Sequence, residues 1–299
     1  MGPFYKPSEP TETQYYTETG LSNAEYLNRP QEISQEQFTA LRDTLRGAAA
    51  IYCPFSLRTG EPYLYMDVLK DAQGYGFTRS RIQIWTETEN ARLAPQFAKP
   101  DVEVVRIPAG EDGQGIPTFL GMAFYENGAE FAEINGTGWL IAAEDILPSP
   151  DLSRIPENRR PILNPELFRW QCHLAQLTGQ ENPLISDLDS LYLDKLGAAL
   201  LSARVLLPLL AEDPEMRAGS SFTIPAWKGR GDREYVRIFS DWRRLYKGMD
   251  DKHPWSAKTE RVAGLIESYD LALNNSSFRD FGLYIDQRLY EMLSGKQNT

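Results

Sequence analysis

The sequence predicts an α+β fold made of two similar units in tandem. Three observations carry that expectation. Short apolar, β-branched runs are interspersed with amphipathic helical stretches along most of the chain. One phrase occurs twice, as RIQIWTETEN from Arg81 and as VRIFSDWRRL from Val236: a strand-like run, an aromatic residue, a hydroxyl residue and an acid, then a helix-like stretch. The spacing is constant, because Pro208 follows Pro54 by the same interval (208 − 54 = 154) as Ile238 follows Ile84 (238 − 84 = 154). This offset sets Ile51 on Val205, Ile82 on Val236, Trp85 on Phe239, Thr86 on Ser240 and Glu87 on Asp241. The physical reading is a strand with one face buried, feeding a helix that the hydroxyl residue caps.

Residues 1–33 are rich in Thr, Tyr, Glu and Pro without apolar periodicity and are expected to form a flexible or surface-hugging arm. The first unit is expected over residues 34–148. Ser34 and Gln37 have the spacing of a capping box, Ile33 can staple onto Phe38, and Phe38, Leu41 and Leu45 share a helical face up to Gly47. Strands are expected at Ala49–Phe55, Tyr63–Leu69, Arg81–Trp85 and in DVEVVRIP, with a short helix between Glu87 and Phe97. Asn127-Gly128, set between two hydrophobic runs, predicts a β-hairpin. GWLIAAEDIL closes the unit.

Residues 149–185 form a Pro-rich connector, within which PELFRWQCHLAQLTG, opened by Pro165, reads as a helix bridging two domains. The second unit, residues 186–299, starts with a helix from about Ser186. RVLLPLL, SFTIPAW and EYVRIFS follow as strands, then a helix, two strands and a last helix in the C-terminal part. The GWLIAA and FGLYID strands correspond at a shifted offset (282 − 138 = 144), so the intervening loops differ in length.

ALLSARVLLPLL, EYVRIFSDWRRLYKG and GLYID together resemble the SseB-like family, bacterial proteins named for enhanced serine sensitivity. The resemblance runs best from Asp187 to Leu293 and less closely from Ser34 to Pro148. Ser240 stands where the family often has Thr, and Trp85-Thr86 replaces its Phe-Thr pair. The resemblance implies an α+β module without an established enzymatic activity, so it supplies no catalytic residues.

Chemistry-bearing residues are sparse. Two cysteines are too few for a disulfide framework, and Cys53 lies in an apolar run that reads as core. Cys172 and His173 are adjacent on the bridging helix and point about 100° apart, which suits packing rather than a thiolate–imidazole pair. His253 beside Asp250 and Asp251 reads as a solvated loop, and Asp187 and Asp189 as first-turn acids favoured by the helix dipole. GEDGQG lacks the Lys-Ser/Thr of a phosphate loop. The Arg-Gly-Asp at 230–232 and the glycosylation-type triplets at Asn135, Asn274 and Asn275 carry no meaning in the cytoplasm, where the chain is expected to reside. Its start has neither a basic nor an apolar leader region, and it has no membrane-spanning run. No cofactor and no metal are expected. The net charge of −11 argues against nucleic acid and membrane as partners.

A protein partner is the expectation that remains. Trp227, Arg230, Trp242, Arg243 and Tyr246 fall in the most basic, aromatic-rich stretch, the residue types that concentrate at interface hot spots. The competing reading of Trp242–Met249 is an amphipathic helix that buries Trp242, Leu245 and Met249 and solvates its arginines. Two other functions are compatible with the sequence: an immunity-type protein that neutralises a toxin, and an enzyme whose carboxylates, such as Asp241 and Glu87, act in a cleft between the two halves.

Overall fold

A computed structural model of the chain describes residues 16–17, 34–70, 76–87, 101–156, 160–177, 185–211, 221–228, 233–249, 255–274 and 282–294. The chain divides into two compact units, Met1–Pro150 and Asp151–Thr299. Helices and mixed sheets occur in both, an α+β architecture.

In the first unit, helix α1 (Gln35–Gly47) begins at the anticipated capping box. Ser34 accepts from the Gln37 backbone N–H, while the Gln37 side chain accepts from that of Ser34. Phe38 and Leu45 turn inward, and the proposed staple residue Ile33 lies outside the described residues. Strand β2 (Ala50–Ser56) pairs antiparallel with β5 (Val102–Pro108). The main sheet contains β3 (Tyr65–Lys70), β4 (Gly76–Ile84), β6 (Phe131–Ile134) and β7 (Leu140–Ala142) in that spatial order. Its β4–β6 pair is parallel, with Ile84 opposite Ile134. From the arm, β1 (Tyr16–Thr17) adds antiparallel to the outer edge of β3. A bridge between Tyr52 and Trp85 joins the two sheets. The helix expected between Glu87 and Phe97 falls almost wholly outside the described residues.

The Asn127-Gly128 hairpin does not form. Helix α2 (Gly115–Gly121), continued by a π-helical turn at Met122–Glu126, occupies the run before it. Ile116, Phe119, Leu120, Ala123 and Phe124 are buried at helical spacing, so the 3.6-residue period outweighs the local Asn-Gly signal. Gly128, at φ 80°, ends this helix, with the Ala129 N–H donating to the Ala123 carbonyl. The short helix α3 (Ala143–Ile146) follows β7.

The second unit opens with α4 (Pro165–Leu177) and α5 (Ile185–Ser202). Strand β8 (Arg204–Ala211) pairs with β9 (Phe222–Thr223) on one side and β12 (Trp255–Arg261) on the other. The second sheet has the order β10 (Ala226–Lys228), β11 (Glu234–Ile238), β13 (Asp270–Leu273), β14 (Leu283–Ile285). Here too the central pair is parallel, with Ile238 opposite Leu273, and a bridge between Leu206 and Phe239 joins the sheets. Helices α6 (Trp242–Gly248), α7 (Val262–Ile266) and α8 (Gln287–Leu293) complete the unit. The SFTIPAW run is not one strand: Pro225 separates β9, which pairs with β8, from β10, which pairs with β11. Strand β12 has too mixed a composition to stand out as a strand in sequence. In both units the inward faces of the central strands are closed, and Ile82, Ile84, Ala132, Ile134, Val236, Ile238, Leu271 and Leu273 are buried.

One close approach is testable. A methyl group at Gly115 would collide with the backbone of Pro108 and Ala109, where β5 hands over to α2. Gly115→Ala is therefore expected to cost about 1–3 kcal/mol, the usual penalty for overpacking, even though Ala is the better helix former. Urea denaturation measures it, and an unchanged midpoint would contradict the packing described.

Candidate interaction surface and the turn beneath it

The geometry of the second unit starts from the turn that ends β11. Asn274, immediately after β13, takes a left-handed conformation at φ 51°, and its N–H donates to the Ile238 carbonyl at 2.8 Å. Its Oδ1 accepts from the Ser240 N–H at 2.9 Å, and its Nδ2 donates to Gln171 Oε1 at 2.6 Å. Asparagine suits this place because it tolerates a positive φ at modest cost while its amide bonds locally. Helix α4 covers these strand ends, the position where ligands often sit in parallel pairs. Asn164 donates to the Arg204 and Ser240 carbonyls at 2.8 and 2.6 Å, and Gln171 donates to the Leu273 carbonyl at 3.2 Å.

Asp241 then caps α6, accepting from the Arg244 N–H at 2.9 Å and from the Ser240 hydroxyl at 2.7 Å. The Arg244 guanidinium pairs with the same carboxylate and lies 3.0 Å above the Phe168 ring centroid. Arg244 is only 5% exposed, which corrects the expectation that the arginines of this helix are solvated. Burial is tolerated because the carboxylate and the aromatic face replace the lost water. Asp241 is thus committed to structure, while its counterpart Glu87 is exposed.

The other chemistry-bearing residues also lie inside. Cys53 and Cys172 are buried, and burial pushes the Cys53 thiol well up. His173 is buried between α4 and α5 with its ring 5.8 Å from Trp170 and 5.9 Å from Tyr192. Burial, with Arg169 nearby, brings its pKa down to about 3, so the imidazole is neutral. His253, Asp250 and Asp251 lie outside the described residues. Among the described residues no His/Cys/Asp/Glu group can hold a metal ion, and no helix is long and apolar enough to cross a membrane.

Of the predicted interaction residues, Trp227, Trp242 and Tyr246 are half-buried or exposed, each beside another aromatic ring. Trp227 stacks on Tyr235 at 5.8 Å, with the Arg237 guanidinium 4.5 Å above the indole. Trp242 and Tyr246 lie 5.9 Å apart along α6; Trp242 also packs on the Leu206–Phe239–Leu245 cluster, whereas Tyr246 is 60% exposed. Arg237 links the regions by donating to the Gly248 carbonyl at 3.1 Å, at the end of α6. Arg243 is half-buried, and Arg230 lies outside the described residues. Tyr235 and Arg237 were missed because each reads in sequence as an ordinary strand residue. Asn274 was missed because its triplet drew attention only as a glycosylation signal.

The first unit repeats the turn in a simpler form. Asn135, at φ 55°, donates its N–H to the Ile84 carbonyl at 2.7 Å, accepts from the Thr86 N–H at 2.9 Å and donates Nδ2 to the Thr86 hydroxyl at 3.1 Å.

Asn274→Ala is expected to cost about 2–4 kcal/mol, combining left-handed backbone strain with buried polar groups left unsatisfied. Asn135→Ala, at a part-exposed site, should cost about half as much; equal losses in chemical denaturation would contradict the proposed hierarchy. For His173 the sign is set by a folded-state pKa of about 3, below the ordinary value of 6.5. Stability is fully present above about pH 6.5 and falls toward pH 3 by about 1.4 kcal/mol per pH unit, because the unfolded chain takes up a proton that the folded chain refuses. Urea midpoints of wild type and His173→Leu at about pH 7.5 and about pH 5 should show a shallower loss in the variant. Parallel losses would refute the assignment.

No curated protein and no solved structure matches the chain significantly. Residues 187–278, from within α5 to just beyond β13, match the model of the SseB protein N-terminal domain.

Proposed function

We propose that this chain is a non-enzymatic cytoplasmic protein whose SseB-type domain binds another protein. The observation that carries the reading is the aromatic and cationic surface formed by Trp227, Tyr235 and Arg237 with Trp242 and Tyr246. Aromatic rings backed by arginine are the groups that anchor protein interfaces. This stretch is also locally basic in an acidic chain: residues 226–249 hold seven basic and three acidic residues (7 − 3 = +4) against a total of −11. The partner surface is accordingly acidic.

The reading includes a tandem arrangement, in which the first unit is a diverged copy of the second. Its support is that the sheet-joining bridges Tyr52–Trp85 and Leu206–Phe239 stand at the 154-residue offset, and that each parallel pair ends in a left-handed asparagine bonded to a hydroxyl residue.

Capture of the tagged full-length chain from its own cells at moderate salt, with bound proteins identified by mass spectrometry, tests the reading. A stoichiometric partner is expected, with at least a tenfold loss of affinity for Trp227→Ala/Tyr246→Ala at unchanged melting temperature. A partnerless wild type, or a partner retained fully by the double variant, would refute it.

A further inference from the structure

We infer that the β9–β10 edge of the second unit receives an extended, acidic strand from a partner protein, which adds antiparallel beside β10. The inference deepens the protein-binding reading and rests on it. Strands β3 and β10 occupy corresponding places, since Tyr65 pairs with Arg81 and Trp227 with Tyr235, and Arg81 and Tyr235 are 154 residues apart. Their surroundings differ. Residues 61–67, leading into and along β3, are all buried, and β1 pairs with that strand's outer edge. In the corresponding segment Phe222 is 44% and Ile224 37% exposed, Ala226 and Lys228 are exposed, and Trp227 is half-buried. Among the described strands, β10 ends its sheet.

A sheet edge with its backbone groups open and apolar side chains exposed is a template for strand addition, and natural edges are normally covered or charged. Pro225 has no N–H to offer, so pairing begins beyond it, at Ala226–Lys228, with Phe222 and Ile224 flanking the incoming strand. The chain itself illustrates what such an edge accepts. The strand on β3, Tyr16–Thr17, stands in the sequence TETQYYTETG, which has two acids and no base. Exposed Lys228 and Lys247 in a locally basic region favour an occupant of that charge.

The test titrates the full-length protein with a fluorescein-labelled peptide of sequence TETQYYTETG, and with the same peptide carrying lysine at both glutamate positions. Fluorescence anisotropy reads affinity, and hydrogen exchange with mass spectrometry locates the site. Saturable binding of the acidic peptide is expected, weakened about tenfold or more in the lysine peptide and in Ile224→Lys. Exchange should slow at residues 222–228. Absent binding, equal affinity for both peptides, or slowed exchange confined to residues 242–248 would overturn the inference. A cellular partner lost in Trp227→Ala/Tyr246→Ala but unaffected by Ile224→Lys would overturn strand addition while leaving the protein-binding reading intact.

Discussion

The fold of each unit depends on how a parallel strand pair is closed at its carboxyl end. Parallel strands cannot share a tight hairpin, so their ends must be joined by contacts between distant segments. Here one asparagine side chain performs that task. Asn274 turns the chain through a left-handed conformation, bonds backward to β11 through its N–H, and holds the Ser240 N–H with its amide oxygen. With Ser240 held, Asp241 stands at the start of α6 and Arg244 returns to the Asp241 carboxylate over Phe168. The surface aromatics Trp242 and Tyr246 take their positions from that helix start.

Helix α4 converts the turn into a rigid base. Asn164, just before α4, and Phe168 and Gln171 on it recur at helical spacing and face the turn together, supplying a carbonyl clamp, an aromatic floor and an amide partner. The neutral His173, with Trp170 and Tyr192, fills the packing toward α5. What would be a ligand site in many α/β folds is thus occupied by the protein's own side chains, which directs attention to the outer sheet face and edge.

The two units solve the equivalent sheet face differently. In the first, Arg81 pairs with Asp67 and lies 3.4 Å from Glu133, all three buried, and Gln83 donates to Glu133 at 3.0 Å. Removing these charges from water is costly, and it is tolerated because each has an opposite charge or a donor beside it. In the second, Tyr235, Arg237 and Ala272 take the sheet positions of Arg81, Gln83 and Glu133, the position of Asp67 falls on Gly229 outside the described residues, and Trp227, Tyr235 and Arg237 stay half-exposed. The sheet face is closed and ionic in the first unit, and aromatic and cationic in the second.

The helical periods of α1, α4 and α5, the capping box at Ser34, and the strands β2, β4, β8 and β11 were legible because they depend on local spacing and short-range hydrogen bonds. The 154-residue offset is readable in sequence too, and the bridges Tyr52–Trp85 and Leu206–Phe239 stand at that spacing. Where long-range packing competes with a local signal, sequence reading failed. Asn127-Gly128 closes a helix instead of a hairpin because α2 and its π-helical extension bury five apolar side chains, and Arg244 is buried because Phe168, distant in sequence, lies beneath it. The sequence by itself determined the α+β class and most of the helices and strands, because those follow from local spacing. Only tertiary structure decided which residues meet, because the bonds that position them, from Asn274 to Gln171 and from Arg237 to Gly248, join segments whose adjacency no local pattern encodes.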